Sequence, residues 1–181
     1  MNSITITCKH DTVTERNAAK RLEKLLGAYD ISRFYFTYSV LIEDRAIPHD
    51  LPALTLNSFP YSDENIVLET FLHEQLHWYL ESGDERVKWS VAQAVNELRV
   101  KYPHAPWGYP LGCKDLDSTY LHLILCYLSN KTMQDVVGLE PAARVLYYLQ
   151  NHHYLMVFRT VERDNEYLAA LVDKYKLHVT G

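Results

Sequence analysis

The chain has 181 residues, 48% of them apolar and 23% charged, with a formal net charge of -5. That is enough chain to bury a core, and too apolar a chain for a disordered segment. It contains no run of Lys or Arg and no apolar stretch of about 18 residues, so nucleic acid and membrane are not expected as partners. The start Met1-Asn2-Ser3-Ile4-Thr5 lacks the basic and apolar regions of a signal peptide. The three cysteines, Cys8, Cys113 and Cys126, form no C-x-x-C pair. They read as reduced thiols in a cytoplasmic protein.

In chain order, Ser3 to Lys9 alternates as a strand should. Thr14 is a possible cap for a helix from Glu15 to about Leu26, with Ala18, Leu22, Leu25 and Tyr29 on one face. Phe34 to Ile42 is the clearest strand, and Ala53 to Asn57 a short third one after Pro48 and Pro52. Asp63 then caps a helix from Glu64 to about Ser82, apolar over so much of its circumference that it should be buried. A second helix ends near Tyr102, and residues 103–117, with three prolines and two glycines, read as a loop. A third helix covers about Ser118 to Ser129, followed by a turn at Thr132 to Gly138 and a helix from Pro141 to about Asn151. A last helical stretch runs from Tyr154 to Lys176, with a possible restart at Asp164 or Asn165. Strands first and helices after predict an α+β fold, and no linker divides it, so residues 1–181 are expected to form one domain.

Residues 73–77 are His-Glu-Gln-Leu-His. On a helix, positions four apart lie one turn apart on the same face, so His73 and His77 can aim two imidazoles at one metal ion. Glu74 sits about 100° around the axis, at 3.6 residues per turn, placed to reach water beside that ion rather than to ligate it. Zinc suits this donor set and makes such water acidic enough for a carboxylate to take its proton. Three ionisable groups on an otherwise apolar helix would be costly to bury without such a purpose.

The segment Phe71-Leu72-His73-Glu74-Gln75-Leu76-His77-Trp78 resembles the motif helix of the zincin metallopeptidases. The resemblance implies a zincin-like fold: a small N-terminal sheet, packed helices and an HExxH active-site helix. It implies that His73 and His77 bind Zn2+, that Glu74 is the general base, and that the substrate is a peptide or protein. It also implies that the edge strand, here Ala53 to Asn57, holds an extended substrate by backbone pairing.

Catalytic zinc takes three protein ligands and keeps one position open, and two residues compete for the third place. Glu97, in Val95-Asn96-Glu97-Leu98, lies 20 residues past His77, a spacing that resembles the thermolysin-type zincins. If the chain turns at Ser82-Gly83-Asp84 into an antiparallel helix, however, Glu97 falls roughly 12 Å too far along it, at 1.5 Å per residue. Glu97 fits only if that helix starts late, for example at Ser90, where Ser90-x-x-Gln93 is a possible capping box; Ser82-x-x-Glu85 is another. The second candidate, and the favoured one, is His122, the one strongly polar residue in Tyr-Leu-His-Leu-Ile-Leu-Cys-Tyr-Leu. With Ser118, Cys126 and Ser129 it forms a narrow stripe at helical spacing.

An oxyanion needs a donor besides the metal. His153 is nominated first and Tyr154 second, both at a helix junction, with Arg159 and Tyr120 behind them. A peptidase competes with two other readings: a zinc hydrolase of non-peptide amides, and a catalytically silent binding or regulatory module with the same fold.

Overall fold

The computed structural model describes residues 3–82 and 84–179. Met1, Asn2 and the expected turn residue Gly83 lie outside them. The chain mixes helix and strand and divides into two compact units, the first reaching Tyr79 and the second running on from Leu80.

The first unit holds three strands, β1 (Thr5–Cys8), β2 (Ser39–Ile42) and β3 (Leu54–Leu56), in the order β1-β2-β3 and all parallel. Thr5 pairs with Ser39, and Val40 with Leu54. Parallel sheets need helical cover. Helix α1 (Val13–Ala28) packs on β1 and β2, helix α2 (Glu64–His77) packs on β3, and the two helices pack on each other. Their shared core includes Leu22, Val40, Leu54, Leu68, Phe71 and Leu72, all fully buried.

Helix α1 starts two residues earlier than its sequence suggests. Thr12, not Thr14, is the cap, in a reciprocal box with Glu15, while the Thr14 hydroxyl donates to the Asp44 carboxylate. Glu15 is fully buried and accepts from the amides of His10, Thr12 and Asp44. Burial pushes its pKa up, and these backbone bonds together outweigh that, leaving it below the ordinary carboxylate value.

The strand expected over Phe34 to Ile42 is half as long. Ser32–Phe34 is a 3-10 turn, and only Ser39–Ile42 joins the ladder. The missing half is held from α2 instead. The Gln75 side chain accepts from the amides of Phe36 (2.8 Å) and Thr37 (2.9 Å) and donates to the Thr37 carbonyl (2.9 Å). A glutamine carries both donor and acceptor, so it substitutes for a neighbouring strand at this point.

The second unit is helical: α3 (Glu85–Lys101), α4 (Leu116–Val137), α5 (Leu139–His152), α6 (Leu155–Arg163) and α7 (Asn165–Lys174). Asp84 caps α3, so neither serine capping box operates, and the helix starts early rather than at Ser90. Helix α4 runs through the turn expected at Thr132 to Gly138. Asn130, Thr132 and Met133 are buried and keep the helix going until Gly138, at φ 87, stops it. It packs against all four other helices of the unit. Pro141 then falls in the first turn of α5, where its missing amide costs nothing. The last helical stretch breaks at Asp164, between α6 and α7.

The loop before α4 is tightly wound. A Cβ on Gly112 would lie 2.6 Å from the Pro106 carbonyl oxygen and 2.9 Å from the Thr119 hydroxyl. The carbonyls of Pro110 and Leu111 accept from the amides of Leu155 and Met156, satisfying two of the open donors at the start of α6.

Candidate functional site

Asp63 caps α2 through a side-chain bond from the Asn65 amide. The helix is buried nearly all round, as its apolar circumference predicts, and from Ile66 to Leu76 its buried set includes Glu69, His73, Glu74 and Gln75. After His77 the winding loosens to a π-helical turn over Trp78–Ser82.

His73 and His77 occupy one face, with ring centroids 5.1 Å apart and planes at 71°. A nitrogen of each ring lies within 4.8 Å of the other's. Ligand nitrogens at about 2.1 Å from one tetrahedral zinc sit roughly 3.4 Å apart, so the two rings are close to a ligating arrangement. His73 is 8% and Glu74 4% exposed. This donor set, two imidazoles with a carboxylate on the next residue, fits zinc.

Glu69 and Asp50 bring carboxylates to His73 and His77 respectively, and neither was singled out from the sequence. Glu69 is buried one turn before His73, with an oxygen 3.9 Å from His73 Nδ1. Such a group can turn a histidine and fix its tautomer once it closes to hydrogen-bonding distance. The four-residue spacing was the readable signal. Asp50, in the loop between β2 and β3, puts a carboxylate oxygen within 4.8 Å of a His77 nitrogen. The Asp50 carbonyl accepts from the Trp78 indole at 3.0 Å.

The outer edge of β3 is already paired. His49 and Thr55 exchange both backbone bonds in an antiparallel bridge, at 3.1 Å and 2.7 Å. Thr55 is the central residue of the three-residue strand, and alternation directs its amide and carbonyl outward.

In the second unit, His122 is 8% exposed on α4. Its Nδ1 lies 2.8 Å from the Ser118 carbonyl oxygen. A carbonyl can only accept, so Nδ1 carries the proton and Nε2 the lone pair, the tautomer that ligates through Nε2. The Tyr154 ring stands against His122, with centroids 4.9 Å apart. Tyr154 has left-handed backbone angles (φ 44, ψ 51), a costly conformation for a bulky residue. It is held there by the bonds of Leu155 and Met156 to the loop.

His153 lies one ring further out, 6.4 Å from both Tyr154 and Tyr109. Desolvation of its ring, and then His152 beside it, lower its pKa, so it is neutral near pH 7. Glu97 is engaged elsewhere: its carboxylate accepts from Lys174 and from the Tyr175 hydroxyl, bonds that lower its pKa. The Tyr120 hydroxyl donates to the Tyr102 carbonyl. Arg159 is exposed on α6. None of the three cysteines is in a disulfide, and burial pushes the Cys113 thiol up to about 12.

No helix among the described residues is long and apolar enough to cross a membrane. Comparison with family models, curated proteins and solved structures gives no match.

Proposed function

We propose that this chain is a zinc-dependent hydrolase of the zincin type, acting on peptide bonds. The observation that carries the reading is the buried face of α2, which brings a nitrogen of each of two imidazoles within 4.8 Å of the other and sets Glu74 beside them. The metal, when bound, would supply the Lewis acidity that polarises the scissile carbonyl and acidifies water. His73 and His77 are assigned as ligands, with Glu69 orienting His73. His122 is assigned as the third ligand, because its Nδ1 is already committed to a carbonyl and because the Glu97 carboxylate is held in an ion pair. Glu74 takes the proton from the attacking water and returns it to the leaving nitrogen. Tyr154 is the preferred oxyanion donor, ahead of His153, because its ring is fixed against His122.

A catalytically silent binding module is the second reading. It is favoured by the His49–Thr55 bridge, which occupies the strand edge an extended substrate would use.

The test is metal content by elemental analysis with a peptide-library assay. About one zinc is expected in the parent and in Glu97→Ala, and none in His73→Ala or His122→Ala. Glu74→Gln should keep the zinc and lose about 10²–10⁴-fold in rate. Zinc retained with no cleavage by the parent moves the balance to the silent module. No zinc in the parent ends the hydrolase reading.

A further inference from the structure

The second unit carries a cleft of about 470 Å³ between α3 and α4, the size of a small-ligand site. One face of α3 forms its long wall. Lys88, Val91, Val95 and Arg99 recur there at helical spacing, and at 1.5 Å per residue the stretch from Lys88 to Arg99 rises about 16 Å. Leu121 of α4 and Leu80 of the π-helical turn add to an apolar floor. The charges around that floor come in both signs, Lys88 and Arg99 with Glu81 and Asp117. Glu81 precedes the start of α3 and Arg99 lies near its end, so opposite charges flank the cleft lengthwise.

We infer that this cleft binds a short extended peptide, about five residues long, with its C-terminal carboxylate on Arg99 and its N-terminal ammonium on Glu81. Length selects such a ligand: an extended chain advances about 3.3 Å per residue, so five residues match the 16 Å wall. Charge selects it as well. The two acidic side chains oppose an anionic lipid or nucleotide, and the two basic ones oppose a simple cation, whereas a zwitterion satisfies both. Lys88 is taken up by Glu85 at 2.8 Å, which leaves Arg99 as the cation for the carboxylate. Its planar fork suits that group.

The present bonds of Arg99 are surface ones: Nη1 donates to Asn96 at 2.7 Å and Nη2 to Asp117 at 2.6 Å, with the Asp117 side chain 75% exposed. Exposed pairs of this kind contribute little and exchange readily. Asn96 and Ser118 bring to the cleft the donors and acceptors that an extended backbone uses. The Ser118 carbonyl also fixes the tautomer of His122, so a seated peptide would touch the helical turn that carries the proposed third ligand. That link to turnover rests on the zinc reading above; the binding itself does not.

The test is calorimetric titration of the full-length chain freed of metal by chelator. The probe is the pentapeptide Ala-Val-Leu-Val-Ala with free ends, compared with its C-terminally amidated and N-terminally acetylated forms. The proteins are the parent, Arg99→Gln, Glu81→Gln and Val95→Glu, each checked by circular dichroism for intact fold. One free-ended peptide should bind per chain, and blocking either end should weaken it about tenfold. Arg99→Gln should weaken the free-ended peptide to the same degree and leave the amidated one unchanged, and Glu81→Gln should do likewise for the acetylated one. Val95→Glu should abolish binding of all three. No binding by the folded parent overturns the inference, as does equal affinity for free and blocked ends. Binding that survives Arg99→Gln and Val95→Glu undiminished also overturns it, because the peptide then sits elsewhere. Since the protein is metal-free throughout, any of these failures leaves the hydrolase reading standing, and a parent that takes up no zinc leaves the cleft standing.

Discussion

Replacing Gln75 tests whether one side chain on the motif helix does the work of a missing strand. The residue is fully buried and makes three bonds to the backbone of Phe36 and Thr37. Gln75→Met keeps the volume and removes the bonds. Each bond is worth about 1 kcal/mol net, and a backbone group left without a partner costs about 1–3 kcal/mol when sealed from water. Phe36 and Thr37 are half-buried, which places the effect near the lower figure for each bond. The sum is about 3 kcal/mol for Gln75→Met, and about 4 kcal/mol for Gln75→Ala, which also leaves a void. Urea unfolding measures both, as a drop in midpoint at unchanged slope. A loss below about 1 kcal/mol in Gln75→Met would refute the reasoning, because the segment 36–37 would then be held by packing alone.

Three other outcomes are expected. The folded-state pKa of Glu15 is depressed, so its stabilisation is present above the unfolded value of about 4.3 and is lost as the pH falls through the lower folded value; Glu15→Gln should flatten the pH dependence of stability on the acid side of pH 4.3, and an unchanged slope counts against the three-amide cradle. Gly112→Ala should destabilise by about 1–3 kcal/mol in thermal unfolding, because the new methyl meets a backbone carbonyl that cannot swing aside; a neutral result would show the loop to be loose. Cys113 should resist alkylation in the folded protein at pH 8, where the reactive thiolate is scarce, and mass spectrometry after iodoacetamide treatment would show modification if that is wrong.

The helices were legible because periodicity and caps act locally. Asp63 marked the start of α2 by its side-chain chemistry, and α2 announced its burial through its apolar circumference; the end of α4 was not legible, because the buried Asn130, Thr132 and Met133 carry the helix through the expected turn. What escaped depends on distant partners. Nothing near Phe36 says that its amide bonds to a residue 39 positions away. The cap falls on Thr12 rather than Thr14 because Thr12 closes the reciprocal box with Glu15, while Asp44, from another loop, accepts from both threonine hydroxyls. Within the candidate site, the spacing of His73 and His77 was readable as one helical face with Glu74 about 100° around the axis, and Glu69 was readable by the same four-residue rule. Asp50 was not, since it reaches His77 through a loop whose path no periodicity describes.

The bonds from Leu155 and Met156 to Pro110 and Leu111 alter what residues 103–115 can tolerate. By composition that stretch is where a tag, a cleavage site or a lineage-specific insertion would be placed, being rich in proline and glycine and carrying the exposed Trp107 and Tyr109. Yet lengthening it between Pro106 and Cys113 would draw two carbonyls away from the first turn of α6 and release Tyr154 from its left-handed backbone. The change this loop can absorb is therefore exchange of exposed side chains at fixed length.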